Sequence, residues 1–391
     1  MTKTEIAPNP FTPKSGIEPR IFLGREKEIE IFKKHLNRTK VSYFNHFIVV
    51  GDWGIGKTTL LKEYRKISHS QGILTSFVTV PKFTDETLLS PTVQLMTQIP
   101  RSLPIKFEKI KRAINHLRGL GINFPIIGGG LNIPAKQRYK GDPQVLLLDS
   151  LVTLWKDLEK EMNVVIVFID DVQNYEKISE FLTLLKNVLS DDEIAKHTGY
   201  LFVLSSTSSG WEDFLVKHHP LGRYFIPIVK LSNLEKERIP EIITGILRDT
   251  GVSFEKEVIR EVVEYSEGHP FQMQILCDYL YESQVHGKVT MDCFESAFNN
   301  ALDELGDIIL EPLYTLASEQ EKGTLHLMAE NYTVTSVSEI LSLLQGMQPQ
   351  TDKKSLSVHL NRLKDKGLIQ KENRGHYKII SRIMSEYIRR K

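Results

Sequence analysis

Nine consecutive residues, Gly51-Asp52-Trp53-Gly54-Ile55-Gly56-Lys57-Thr58-Thr59, constrain this chain more than any others. They complete the pattern G-x-x-x-x-G-K-[ST], follow the apolar run 47–50 and precede a helix-like stretch beginning at Leu60. In such a strand–loop–helix unit the glycines let successive backbone N–H groups turn inward, and the helix aims its positive end at the same point. The result is a cradle for phosphate. Lys57 would reach the terminal phosphates of a nucleotide and Thr58 would offer its hydroxyl to Mg²⁺, with Gly51, Gly54, Ile55, Gly56 and Thr59 forming the rest of the loop.

A second run fits the first. Residues 164–169 are continuously β-branched or aromatic, as in a strand buried on both faces of a parallel sheet, and they end in Asp170-Asp171. Ligands of such sheets sit at the carboxyl ends of the strands, so Asp170 is expected near Thr58 as the second metal-holding residue. Asp171 is then the candidate for polarising an attacking water. Strand-like runs at 44–50, 73–80, 164–169, 200–204 and 224–229 alternate with helical patterns, which predicts a parallel α/β sheet with helices on both faces.

With 391 residues the chain is too long for one ordinary core, and two or three domains are expected. Hydrophobic content of 41% and charged content of 25% describe a soluble globular protein without a membrane span. Residues 1–10 lack a charged-then-apolar leader, so a cytoplasmic location is expected. Cys277 and Cys293, in no metal-type spacing, read as reduced core thiols. The net charge of +1 is unevenly spread: residues 315–391 hold 13 Lys and Arg against 8 Asp and Glu, and residues 101–140 hold 9 against the single acid Glu108. That basic insert is either a solvated surface excursion or a contact for nucleic acid or an acidic partner. Gly128-Gly129-Gly130 within it reads as a hairpin or flap, because no Gly-Lys and helix follow.

Past residue 231 helical periodicity takes over, at 235–249, 255–266, 271–286 and 291–304, which suggests a four-helix lid. Gly268-His269-Pro270 inside it is either a helix break or a nucleotide contact. The last stretch reads as a winged helix: helices at 320–330, 337–344 and 353–366, then strands at 369–372 and 377–380 around Asn373-Arg374-Gly375. The third of these helices is the one that enters a DNA major groove in helix-turn-helix proteins, presenting Lys353, Lys354, Ser357, His359, Asn361, Arg362 and Lys364, while Leu356, Leu360 and Leu363 pack inward. Winged helices also serve as protein interfaces and nucleotide lids, so the partner stays open. The expected domains are a core at 1–230 with the insert at about 101–140, a lid at 231–305 and a winged helix at 306–391.

The order of Gly24-Arg25-Glu26, the phosphate loop, the Asp170-Asp171 strand, the Gly268-His269-Pro270 lid and the winged helix resembles one group of P-loop proteins. These are the archaeal-type ATPases of the STAND class, close to the origin-recognition ATPases within AAA+, and the resemblance spans roughly residues 8–391. It implies an α/β P-loop core with an AAA+/STAND-type parallel sheet, an all-α helical lid and a C-terminal winged-helix domain. It also implies that residues 21–26, with Arg25, wrap the adenine and that Pro270 packs on the base. Ser206, with Thr207 beside it, falls where the family has a polar residue facing the γ-phosphate or the water. Arg223 falls where oligomeric relatives carry the arginine that reaches a neighbour's γ-phosphate, although it also reads as a surface arginine.

Asp170-Asp171 departs from the usual AAA+ Asp-Glu pair, and the shorter carboxylate suits a slow switch. The expectation is an ATP- and Mg²⁺-dependent ATPase whose hydrolysis repositions lid and winged helix, with double-stranded DNA, an unknown protein partner or a homo-oligomer as output. The alternative is a DNA-binding initiator-like or regulatory protein in which ATP is mainly structural.

Overall fold

A computed structural model describes residues 7–13, 19, 21–41, 45–81, 88–102, 142–330, 332–347, 350 and 352–391. Most of the basic insert, including Gly128-Gly129-Gly130, lies outside the described residues. The chain divides into two compact units, residues 25–232 and residues 1–24 with 233–391.

The first unit runs α1 (Glu26–Thr39), β1 (Phe47–Val50), α2 (Lys57–Ser70), β2 (Leu74–Thr79), α3 (Leu89–Ser102), α4 (Pro143–Leu158), β3 (Val165–Asp170), α5 (Ile178–Leu189), α6 (Asp192–His197), β4 (Tyr200–Ser206), α7 (Ser208–Gly222) and β5 (Ile228–Lys230). The strands form one sheet in the order β2-β3-β4-β1-β5. All neighbours are parallel. Every residue of β3 and β4 is buried because the sheet is covered on both faces. Strand alternation assigns the faces. Phe168 meets Phe32 of α1 and Phe77 of β2, and Phe32 stacks on Tyr64 of α2 at 4.2 Å, whereas Val165, Val167 and Ile169 join the cluster of Leu147, Leu151, Phe181 and Leu185 from α4 and α5. β1 lies between β4 and β5, and its carboxyl end opens where the strand order reverses, the usual place for a ligand crevice.

The fifth strand is shorter than the run 224–229 suggests. Arg223–Phe225 form a 3-10 turn after α7, and Pro227 has no N–H to give a ladder, so pairing begins at Ile228.

The second unit runs α8 (Ile239–Leu247), β6 (Ser253–Phe254), α9 (Lys256–Ser266), α10 (Pro270–Glu282), β7 (Lys288–Val289) and α11 (Met291–Leu305). It continues with α12 (Glu311–Tyr314), α13 (Glu319–Ala329), β8 (Thr335–Ser336), α14 (Val337–Met347), α15 (Lys353–Asp365), β9 (Ile369–Asn373), β10 (His376–Ile379) and α16 (Arg382–Arg389). The lid segment is not wholly helical as the resemblance implies. β6 and β7 pair in parallel because Phe254 and Val289 bury their side chains in the helical core. One core runs through the whole unit, from Phe11 through Ile243, Leu276, Leu302 and Leu325 to Leu360 and Ile388. Leu356, Leu360 and Leu363 are fully buried on α15, as the leucine spacing predicts. β8, β10 and β9 form a three-stranded sheet in that order, with β8 and α16 absent from the sequence reading. Residues at the start of the chain belong here: Ala7 N–H donates to Thr250 O at 3.0 Å, and the Phe11 ring stacks on Phe254 at 6.1 Å. No helix among the described residues is long and apolar enough to cross a membrane.

Candidate nucleotide-binding site

β1 delivers the loop. Leu231 N–H donates to Val50 O at 2.7 Å and Gly51 N–H to Ser206 O at 3.2 Å, so the loop leaves the sheet pinned on both sides. Gly54 and Gly56 take φ of 72° and 95°, conformations that favour glycine. A Cβ placed on Gly56 would meet nothing within 4 Å. Ile55 is buried, and Gly56 leads directly into α2 with no side-chain cap on the first-turn amides. Thr58 and Thr59 follow in that first turn, both half-buried.

The lysine folds back into the loop. Lys57 Nζ donates to Gly51 O at 2.8 Å and Asp52 O at 2.9 Å. Burial pulls its pKa down, opposed by Asp171, Asp170 and Asp52. Arg25 is also buried and donates to Ile55 O at 3.1 Å and Ser232 O at 2.7 Å, while pairing with Glu28 at 3.5 Å. Its guanidinium therefore ties the loop backbone to the chain just beyond β5.

The carboxylates sit at the end of β3. Thr58 Oγ1 donates to Asp170 Oδ2 at 2.7 Å, and Ser205 Oγ donates to Asp170 Oδ1. Burial raises the Asp170 pKa and Asp171 adds to this, against the Ser205 and Thr58 hydroxyls and Lys57. Asp171 adopts φ of 59°, a left-handed conformation that Asp tolerates better than most residues and that strained sites accumulate. Its N–H donates to Ser205 Oγ at 2.9 Å, and its Oδ1 accepts from Gln173 Nε2 at 3.0 Å. Gln173 Oε1 in turn accepts from Thr207 N–H at 3.1 Å.

Ser206 ends β4 with its Oγ buried and without a hydrogen-bond partner among the described residues. Arg223 is exposed just beyond α7 and outside this bonded cluster, and Pro270 opens α10 in the second unit. Lys57, Thr58, Asp170 and Asp171 are thus brought together with the Ser205 hydroxyl from β4.

Residues 22–276 match the family model of an ATPase domain found predominantly in Archaea. The chain belongs to this ATPase family. No curated protein matches it. Among solved structures it is similar to the Walker-type ATPase PABY2304 of Pyrococcus abyssi, with 17% identity and a TM-score of 0.61 over 94% of this chain and 96% of that one. It is also similar to the ORC2 protein of Aeropyrum pernix in its ADPNP–ADP complexes, with 16% identity and a TM-score of 0.57 over 97% of each chain. At these identities the likeness speaks for the fold alone.

Two residues of the candidate site escaped the sequence reading. Ser205 bonds Asp170, and Gln173 bonds Asp171. Adjacent strand residues face opposite ways, so the pair Ser205-Ser206 announces one hydroxyl per face. Choosing between them requires knowing that β3 lies beside β4.

Proposed function

We propose that this ATPase binds ATP with Mg²⁺ over Lys57 and Thr58, hydrolyses it, and uses the difference between ATP and ADP to set the state of its second unit. The observation that carries the reading is the 2.7 Å contact of Thr58 with Asp170 beside a lysine held inside the glycine loop. A hydroxyl and a carboxylate are the hard oxygen donors that Mg²⁺ takes, so the pair fits the metal. Bound there, Mg²⁺ would supply positive charge against the β- and γ-phosphate oxygens.

The remaining work falls to the protein. Lys57 exchanges the Gly51 and Asp52 carbonyls for phosphate oxygens, and the buried Ser206 hydroxyl supplies a hydrogen bond to the γ-phosphate or the water. Asp171 accepts a proton as the water oxygen bonds to the γ-phosphorus. The bond from that phosphorus to the bridging oxygen breaks, and its electron pair leaves on ADP. Arg25 keeps the loop in place through Ile55 O. Turnover measured for Lys57→Ala and Asp171→Asn tests this, and unchanged rates in both would remove hydrolysis from the account.

For the output, the favoured reading is duplex DNA at a winged helix formed by α13 to α15 and β8 to β10. Support comes from α15, where Lys353, Lys354, Asn361, Arg362 and Lys364 are exposed opposite the buried leucines. Affinity for a duplex should fall steeply with salt, and replacing Lys353, Lys354 and Arg362 by alanine should flatten that dependence by about 0.9 logarithmic unit per lost phosphate contact. Binding that is absent or indifferent to salt points instead to a protein partner. Exposed Arg223 supports an assembly completed across subunits. A rise in mass with a slowly hydrolysed ATP analogue, lost in Arg223→Ala, is the expected result.

A further inference from the structure

Asp171 is held in a way its own sequence position does not require. Its backbone is left-handed, its N–H is fixed on Ser205 Oγ, and one carboxylate oxygen is fixed on the Gln173 amide. The orientation of that amide is unambiguous. Thr207 N–H can only donate and the Asp171 carboxylate can only accept, so Gln173 must present Oε1 to the first and Nε2 to the second. The turn that carries Gln173 is pinned as well, since Asn174 Nδ2 donates to Val80 O at 2.7 Å. Space around it is tight: a Cβ on Gly210 would lie 2.7 Å from Gln173 Cβ. Gln173 is the side-chain donor that holds Asp171 among the described residues, and Asp171 Oδ2 is left for another partner.

We infer that Gln173 is a positioning residue for hydrolysis: its amide locks Asp171 so that Oδ2 faces the water, and it links that carboxylate to the backbone of Thr207, next to Ser206. The inference rests on the reading of Asp171 as the proton acceptor. A carboxylate that must aim at one water gains from losing its rotational freedom, because misplacement by about 1 Å can cost on the order of a hundredfold in rate. The link also makes the two sides of the reaction centre move together. A turn of Asp171 breaks the Gln173 bond unless Thr207, the N-cap of α7, follows.

The test is a comparison of kcat, KM and directly titrated ADP affinity in Gln173→Ala, Gln173→Glu, Asp171→Asn and the double variant Asp171→Asn/Gln173→Ala. Gln173→Ala should lower kcat by on the order of tenfold to a hundredfold and leave ADP affinity within about twofold. Gln173→Glu keeps the size and an acceptor for Thr207 N–H but sets a carboxylate against Asp171, so it should fall as far. It also carries the test if the alanine variant does not fold. The double variant should be no slower than Asp171→Asn alone. Full kcat in Gln173→Glu, a raised KM with unchanged kcat, or a further loss in the double variant would each overturn the positioning role. Normal turnover in Asp171→Asn removes the underlying reading instead, and is told apart by that single variant.

Discussion

Gly56 and Asp171 both occupy left-handed backbone, and chemistry separates their tolerance. Gly56 has open space where a side chain would point, so Gly56→Ala meets no clash and its whole penalty is conformational, about 1–2 kcal/mol. A lower urea midpoint together with about tenfold weaker ADP binding is expected; tighter binding would show that the loop does not need this conformation. His46 offers a pH test in the same unit. Burial pushes its pKa down to about 3 from 6.5, and its Nδ1 accepts from Phe202 N–H at 3.1 Å. The unfolded chain therefore binds a proton over a range where the folded chain does not. Stability from this group is complete above about pH 6.5 and is lost as pH falls toward 3, at roughly 1.4 kcal/mol per unit. Urea unfolding of His46→Gln should lose that slope between pH 6.5 and 4, and an unchanged slope would assign it to other groups. Residues 51–59 and Asp170-Asp171 were legible because each motif is contiguous and its spacing is its geometry. Ser205, Gln173 and the Arg25 clamp were not, since each contact joins segments at least 30 positions apart or depends on a backbone sign that sequence does not display.

Among elements, β3 and β4 were readable because burial on both faces leaves an unbroken apolar run. β5 was misjudged because Tyr224 and Phe225 have strand-like side chains but close a turn before Pro227. β8 was missed because two residues carry no period. The contacts that join α9 to the C-terminal elements were equally invisible. Glu267, at the end of α9 with φ of 48°, accepts from Lys378 Nζ at 3.1 Å, from Arg382 N–H at 3.1 Å and from Tyr332 OH. Burial raises its pKa, but the Tyr332, Arg382 and Lys378 donors outweigh that and the net shift is downward. Its contribution is thus present above the ordinary carboxylate range and is lost as pH falls through the folded value. Glu267→Gln should cost about 2 kcal/mol at neutral pH, as expected for bonds to a charged acceptor, and nearly nothing in strong acid. Chemical denaturation at the two pH values checks this, and an equal cost at both would mean that the charge plays no part.

At the level of the molecule, the two units have separate cores, one within residues 48–225 and one from Phe11 to Ile388 that omits that interval. All three tryptophans, Trp53, Trp155 and Trp211, lie in the first unit, so selectively excited tryptophan emission follows that unit alone. Trp53 stands half-exposed in the phosphate loop and should change emission when nucleotide arrives. ADP at a hundred times its dissociation constant should stabilise the fluorescence-detected transition by about 2.7 kcal/mol. No shift would mean that nucleotide does not bind the folded first unit. The packing of residues 7–13 on α10 and on the segment near Thr250 carries a further consequence, for biosynthesis. These residues leave the ribosome before the phosphate-loop unit, yet their docking surface emerges only after that entire unit has been made. At about 5–20 residues per second they wait ten seconds or more for it. The nascent chain therefore completes its inner unit before residues 7–13 can be fastened to theirs.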